Sequence, residues 1–264
     1  MSAQFKPPPQ NITDERPEDV LVSEFLPAYN ELHQDIWYRL VHVHTSIMIL
    51  EKIHEHPLNH IYAPQEMIFW GMVYSNFFGL SVVILYTLVQ DQAKHDRTPH
   101  TLPAFRDKLL TRWLRESYID YFKNTLANAK FDSGIKYIQG KIDHLRNNLF
   151  AHRFVNPDGT LSTRSLPNLP LAQLREYYEA VERLFHACSF GTEYFTTLYP
   201  PATVGGKPVK KDIEELLELI VKNSYWLNQP ERRAPFWQTQ KRYESPEQIE
   251  EINKWRTKFG LPPA

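Results

Sequence analysis

The chain has one cysteine, Cys188, among its 264 residues, so it can form neither an internal disulfide nor a thiolate metal cluster. Glycine is scarce, with 9 residues, and no stretch shows the alternation of polar and apolar residues that half-buried strands require. The opening MSAQFKPPPQ lacks the apolar core of a signal peptide. We therefore expect a helical protein of the reducing cytoplasm.

The chain also lacks an overall charge of one sign. Its 30 Lys and Arg residues nearly cancel its 31 Asp and Glu residues, giving a formal net charge of -1. Locally the balance differs, because residues 93–153 carry 12 Lys and Arg against 6 Asp and Glu. This excess favours a polyanion at one surface, although solvated helix faces carry similar runs without binding anything.

Apolar residues recur at three- and four-residue spacing over long stretches, which predicts an all-α fold. We expect a Pro-rich tail over 1–17, a bundle of about five helices over 18–200, a linker over 201–210 and a C-terminal helical extension over 211–264. In the first helix, with a possible bend at Pro27, one apolar stripe consists of Leu32, Ile36, Leu40, Val43, Ile47 and Leu50. The predicted helices cover about 18–56, 65–90, 102–131, 133–153, 170–199, 212–227 and 246–259.

The second helix is unusual because 67–89 is a run of 23 residues without a formal charge, long enough to cross a bilayer. Ser75 and Asn76 lie in its middle and its flanks lack a strong Lys and Arg asymmetry, which favours a buried core helix and makes a membrane span the weaker alternative. Gly71, Ser75 and Gly79 share one face, which would permit close approach of another backbone or form a dimer seam.

The histidines between residues 42 and 60 do not have the spacing of a helical metal site. Ligands on one helix face lie three or four residues apart, whereas most of these lie two apart. They are His42, His44, His54, His56 and His60. We expect them to have solvated or helix-packing roles, and we expect no metal or cofactor. Cys188, on an apolar helix, is expected to be a buried small hydrophobe.

The stretch that carries chemistry is Arg146-Asn147-Asn148-Leu149-Phe150-Ala151-His152-Arg153. A guanidinium presents a planar fork of donors to phosphate oxygens, and an imidazole transfers protons near neutral pH. Phosphodiester cleavage can use both groups. The structural alternative is that Arg146 caps carbonyls or pairs with Asp143, while His152 binds the carbonyls of a helix C-terminus.

This stretch resembles the signature of the HEPN superfamily, in which an Arg and a polar residue precede a His after a short spacer. Its Ala-His-Arg ending is most similar to the abortive-infection U-type (AbiU-like) branch. Residues 85–91, a polar loop and the helix start at Thr101-Leu102 are similar to a helix pair of that branch. The resemblance covers about residues 18–199, and Phe154 stands where the branch often has an acidic residue.

The resemblance implies a homodimeric helical bundle whose two motifs line one cleft, and a metal-independent endoribonuclease of phage defence or a toxin–antitoxin system. Arg146 would stabilise the scissile phosphate and His152 would be the general base or acid. Asn147 would orient one of them or contact the RNA. We expect Asn148, Arg153 and Lys141 to bind substrate as well. A neutralising protein partner is a further expectation.

Helical geometry sets a condition on this assignment. At 100° per residue, Arg146 and His152 point to different sides of one unbroken helix, whereas Asn148 and His152 share a face. The motif would need a helix end near Ala151 or convergence of residues across a two-fold axis. The alternative function is a non-catalytic HEPN-fold protein that binds a protein partner or a nucleotide.

Overall fold

The computed structural model describes residues 11–62, 67–90, 100–146, 171–191, 203–204, 207–208, 212–228 and 246–264. This part of the chain is all-α, as the sequence predicts, apart from one antiparallel pair of two-residue strands, β1 (Thr203–Val204) and β2 (Lys207–Pro208). The α-helices are α1 (Pro17–Val20), α2 (Leu26–Glu55), α3 (Leu58–Ile61), α4 (Ile68–Val89), α5 (Leu102–Lys108), α6 (Ile119–Asn128), α7 (Phe131–Arg146), α8 (Leu171–His186), α9 (Asp212–Lys222), α10 (Tyr225–Asn228) and α11 (Pro246–Lys258).

The chain divides into two compact units. The first comprises Met1–Ile47 with Phe78–Pro200, and the second comprises Met48–Phe77 with Pro201–Ala264. The second unit thus combines the C-terminal part of the chain with residues 48–77, a segment expected from the sequence to belong to the bundle.

Helix α2 buries the predicted stripe. Leu32, Ile36, Leu40, Val43, Ile47 and Leu50 are each at most 3% exposed. Pro27 is the second residue of α2, where a proline costs no helical hydrogen bond, so it starts this helix instead of bending it. Residues before it form α1 and a 3-10 turn, Ser23–Phe25.

The N-terminal segment is built into the first unit from Asn11 onward, earlier than the predicted tail boundary at residue 17. Ile12 is 1% exposed, and the Thr13 carbonyl accepts a hydrogen bond from the Gly191 N–H at 3.0 Å. Further along, Leu21 pairs with Leu114 in an antiparallel bridge. The Arg115 guanidinium donates to the carbonyls of Leu21 at 2.9 Å and Glu18 at 3.0 Å.

The prediction of one helix over 102–131 is wrong, because the chain leaves helical geometry near Leu114. Helix α5 continues into a π-helical turn, Leu109–Trp113, in which the Leu114 N–H donates to the Leu109 carbonyl at 3.1 Å. Leu114 then adopts extended backbone angles and pairs with Leu21. The chain resumes as a 3-10 turn, Glu116–Tyr118, and as α6. A non-local backbone pairing thus ends this helix.

Helix α4 is buried along its second half and exposed along its first. Val82, Leu85 and Leu88 are at most 1% exposed, whereas large side chains near its start are mostly exposed, namely Ile68 at 67%, Phe69 at 64% and Met72 at 61%. The helix is long and apolar enough to cross a membrane, with a mean hydropathy of 1.7. A Cβ at Gly71 would meet nothing within 4 Å, so no other backbone among the described residues packs closely against this helix there.

Helices α7 and α8 pack face to face in the first unit. Helix α7 contributes Phe131, Ile135, Ile138 and Ile142, and α8 contributes Leu174, Tyr177, Val181, Leu184 and Phe185, all of them buried. Helix α8 ends at His186, earlier than the predicted end near Tyr199, and Gly191 follows with a φ of +72°. Residues 192–200 lie outside the described part of the chain.

The second unit has its own core. Ile53, Leu58, Trp70 and Leu217 form one buried cluster. A second cluster consists of Val221, Trp226, Leu227, Ile252 and Trp255. The predicted helix over 212–227 is divided into α9 and α10 at Asn223-Ser224, where the Ser224 hydroxyl accepts from the Leu227 N–H at 3.3 Å and starts α10.

Two glycines of α7 make a matched test of the α7–α8 packing. A Cβ at Gly134 would lie 3.1 Å from Leu184 Cδ2, whereas a Cβ at Gly140 would meet nothing within 4 Å. Gly140→Ala should therefore raise the free energy of unfolding by about 0.5–1 kcal/mol, the usual gain for replacing a helical glycine. Gly134→Ala should gain nothing or lose stability, because Leu184 must move. Urea denaturation measures both, and an equal gain in both variants would contradict this packing.

Arg115 and Arg112 make a second matched pair. Arg115 donates to two carbonyls of the N-terminal segment, whereas Arg112 is exposed and has no ion pair within the residues described. Arg115→Ala should lower the free energy of unfolding by about 1–2 kcal/mol, because two charge-assisted hydrogen bonds are lost. Arg112→Ala should change it by less than about 0.5 kcal/mol. Equal effects in chemical denaturation would show that the Arg115 contacts contribute no stability.

Candidate functional site

The predicted catalytic motif begins at the end of α7. Arg146 is the last residue of this helix, and its side chain is outside the described part of the structure. Asn147, Asn148, His152 and Arg153 lie in 147–170, also outside the described residues. What the structure fixes is therefore the helix that leads into the motif, together with the elements that contact this helix.

One hydrogen bond ties α7 to the end of α4. The Gln139 side chain donates from Nε2 to the carbonyl of Val89 at 2.5 Å, and Val89 is the last residue of α4. This bond satisfies a carbonyl that a helix C-terminus leaves without an intrahelical partner. Arg146 follows Gln139 by seven residues, so its position on α7 lies within about 20° of the same face. The start of the motif therefore shares the face of α7 that meets the end of α4.

Helix α5, the next helix after α4, begins at Leu102, where the sequence predicts a helix start. The Thr101 hydroxyl accepts from the Ala104 N–H at 3.3 Å and caps α5, with Pro103 in the first turn. This start, Thr101-Leu102, is part of the resemblance to a helix pair of the AbiU-like branch. Asp91, the acidic residue of that comparison, lies outside the described residues.

Lys141 occupies a different face of α7 from Arg146. It precedes Arg146 by five residues, which separates their positions by about 140° around the helix. Its side chain is exposed, and its Nζ lies 5.9 Å from the centroid of the Tyr137 ring. Tyr137 is 48% exposed and its hydroxyl lies 3.4 Å from Glu176 Oε1. Lys141 and Tyr137 thus form a surface with a cation and an aromatic ring. Within one protomer, Lys141 lies on a different face of α7 from the Arg146 position.

The cationic excess over residues 93–153 is partly neutralised. Arg106 pairs with Asp107 and Asp132, and the Lys123 ammonium lies 3.2 Å from Asp120. Lys108 lies over the Trp113 ring at 5.2 Å, and burial lowers its pKa. The exposed cations without an ion pair among the described residues are Arg112, Arg115, Lys130, Lys136 and Lys141. They belong to several elements, from the π-helical turn that follows α5 to α7.

Histidines of α2 and the residues after it pack against aromatic rings. His44 lies 5.3 Å from Tyr178, His54 lies 5.4 Å from Tyr74, and His60 stacks on Trp226 at 5.7 Å. This agrees with the helix-packing role expected from their spacing. Among the described residues, no group of three His, Cys, Asp or Glu side chains could hold a metal ion. Cys188 is fully buried, as predicted, and burial raises the pKa of its thiol, which makes the thiol unreactive.

Buried imidazoles in both units have lowered pKa values. Burial, with His186 adding repulsion, lowers the pKa of His33 to about 4, and burial also lowers the pKa of His186. In the second unit, burial lowers the pKa of His56, whose Nδ1 is hydrogen-bonded to the Lys52 carbonyl at 2.7 Å. A general base works best with a pKa near the working pH, so the lowered pKa of His33 does not favour its use as a base near neutral pH.

The chain matches no protein-family model, no curated protein and no solved structure. The all-α fold class therefore follows from the helices of the structure. The functional proposal is based on the Arg146 to His152 motif, on α7, which leads into it, and on α4, which contacts α7.

His33 gives a prediction on pH. Because its folded pKa of about 4 lies below its usual value of 6.5, the neutral form stabilises the fold above pH 6.5. That stability should be lost as the pH falls from 6.5 towards 4, by up to about 3 kcal/mol. His33→Phe should make the free energy of unfolding depend less on pH between pH 6.5 and pH 4. Urea denaturation of both proteins at pH 7.5 and pH 4.5 separates the packing change from the ionisation. If the free energy of unfolding changed equally between pH 7.5 and pH 4.5 in both proteins, the lowered pKa of His33 would be contradicted.

Proposed function

We propose that this chain is a metal-independent endoribonuclease of HEPN type, most similar to the AbiU-like branch, acting in the cytoplasm. The observation that carries the proposal is that the Arg146 to His152 motif begins where α7 ends, on the helix face that meets the end of α4. The end of α4, which lies within the region of that resemblance, thus contacts α7 two helical turns before the start of the motif.

In the proposed reaction the ribose 2′-hydroxyl attacks the adjacent phosphorus and the bond to the 5′-oxygen breaks. The products are a 2′,3′-cyclic phosphate and a free 5′-hydroxyl, so DNA is not a substrate. Arg146 stabilises the negative charge that develops on the phosphorane oxygens. His152 accepts the proton of the 2′-hydroxyl or donates a proton to the leaving oxygen.

A complete acid and base pair requires two proton-transfer groups, and the motif supplies one histidine. A homodimer in which two motifs line one cleft supplies the second, and it also removes the need for Arg146 and His152 to share a face of one helix. Asn147, Asn148 and Arg153 are assigned to RNA binding. Lys141, with its different position around α7, would contact RNA outside the reacting phosphate or from the other protomer.

The biological setting we propose is phage defence or a toxin–antitoxin system. A ribonuclease that cleaves cellular RNA must be held inactive until infection or stress, so we propose a neutralising protein partner as well. The alternative, a non-catalytic HEPN-fold protein that binds a protein or a nucleotide, is an outcome of the test below.

The test is cleavage of end-labelled total RNA and tRNA in the presence of EDTA by the wild type, Arg146→Ala and His152→Ala at matched purity. We expect wild-type fragments with cyclic-phosphate ends and a rate loss of at least about 100-fold in each variant. Arg112→Ala, which removes an exposed arginine of α5's π-helical continuation, should retain the wild-type rate.

Each result of this experiment has a definite meaning. Equal cleavage by wild type, Arg146→Ala and His152→Ala would show a contaminating ribonuclease and remove the support for these residues. No cleavage by any variant, with a dimer and RNA binding present, would favour the non-catalytic alternative. Cleavage of a substrate with a single 2′-deoxyribose at the scissile position would contradict attack by the 2′-hydroxyl.

A further inference from the structure

The first unit contains a cavity whose described lining residues all lie outside the motif. It has a volume of about 970 Å³ and lies between the N-terminal segment, the first turns of α2 and Phe190-Gly191. Cavities of this size accommodate organic ligands of several hundred daltons. Its lining residues are Asp14, Arg16, Pro17, Glu18, Asp19, Tyr29, Asn30, His33, Gln34, Trp37, Tyr38, Phe190 and Gly191.

One side of the cavity is aromatic. Trp37 and Tyr38 pack against each other with ring centroids 4.9 Å apart, and Tyr38 is 51% exposed. The Gln34 amide donates to the Tyr38 hydroxyl at 3.2 Å and orients this ring. Tyr29, His33 and Phe190 lie deeper, with centroids 5.4 Å apart for Tyr29 and His33. The π-faces of such rings attract cations.

The other side is acidic. Asp14, Glu18 and Asp19 are exposed and have no ion pair within the residues described, whereas Arg16 is the one permanent cation among the lining side chains named above. With His33 neutral, because its pKa is about 4, these ionised groups sum to a charge of −2. A phosphate ligand would be repelled, so this cavity is not a second RNA site.

The wall that carries these carboxylates is held in place. The Glu18 carbonyl accepts from the Arg115 guanidinium at 3.0 Å, and the Val22 N–H donates to the Trp113 carbonyl at 2.8 Å. At the base of the cavity the Phe190 N–H donates to the Tyr29 hydroxyl at 2.9 Å. A preformed cavity loses less ordering entropy when a ligand binds, which favours affinity.

We propose that this cavity binds a linear polyamine. Its ammonium groups would be paired with Glu18, Asp19 and Asp14, and its methylene segments would lie against Trp37 and Tyr38. A bare divalent cation fits less well, because it requires several oxygen ligands converging within about 2.6 Å, not carboxylates opposite aromatic rings. The proposal does not depend on ribonuclease activity.

The test is isothermal titration of the full chain with spermidine at physiological ionic strength. We expect saturable binding with one site per chain. The double variant Glu18→Gln/Asp19→Asn should bind about tenfold more weakly, the effect of two partly exposed ion pairs. Tyr38→Leu should bind several-fold more weakly, because it removes a π-face while the side chain is half in solvent.

The matched control is Glu215→Gln/Glu250→Gln, which removes the same charge from exposed glutamates of the second unit that do not line the cavity. It should retain the wild-type affinity within about twofold. Thermal denaturation of each variant confirms that the fold is intact, since none of these side chains is buried. An equal loss in control and test variants would show general counterion attraction and overturn the proposal. The absence of saturable spermidine binding would also overturn the proposal. The same holds if Mg²⁺ at matched ionic strength competed with spermidine as well as another polyamine does.

Discussion

The pairing of Leu21 with Leu114 fixes the path of the chain through the first unit. Leu114 leaves helical geometry to make this pair, so α5 and its π-helical turn end there and α6 takes a separate course. The same pairing anchors the N-terminal segment, whose carbonyls accept from Arg115. One wall of the cavity, and the separation of α5 from α6, thus depend on the same non-local pairing of residues 18–22 with residues 113–115.

This contact explains which helices could be predicted from the sequence. The stripe of α2 repeats every three or four residues, so its burial follows from local periodicity. The break at Leu114 does not, because no glycine or proline lies between Pro103 and Gly134, and a continuous amphipathic helix satisfies the local pattern equally well. Its cause lies far away along the chain, in the pairing of Leu114 with Leu21 and in the hydrogen bond that the Arg115 guanidinium donates to the Leu21 carbonyl, 94 residues away.

The candidate site could be predicted from the sequence only in part. The residue types of Arg146 and His152 are suited to phosphodiester chemistry, and their proposed roles come from the resemblance of the motif to the HEPN signature. The contact of Gln139 with Val89 could not be anticipated, since any exposed polar residue of α7 could have met the end of α4. The cavity was missed because the segment that forms its acidic wall is poor in apolar residues, and only Ile12, Val20 and Leu21 fix it to the core.

The two proposed sites have opposite requirements for charge, although both belong to the first unit. An RNA phosphate is attracted by cations and repelled by the carboxylates of the cavity, whereas a polyamine has the reverse preference. Salt weakens the binding of either ligand, so salt dependence alone does not distinguish the sites. Removing the charges of Glu18 and Asp19 distinguishes the two sites. This change weakens the attraction for a cation and cannot weaken the attraction for a phosphate. The two proposals are therefore tested separately, by charge-removing substitutions in the residues of each site.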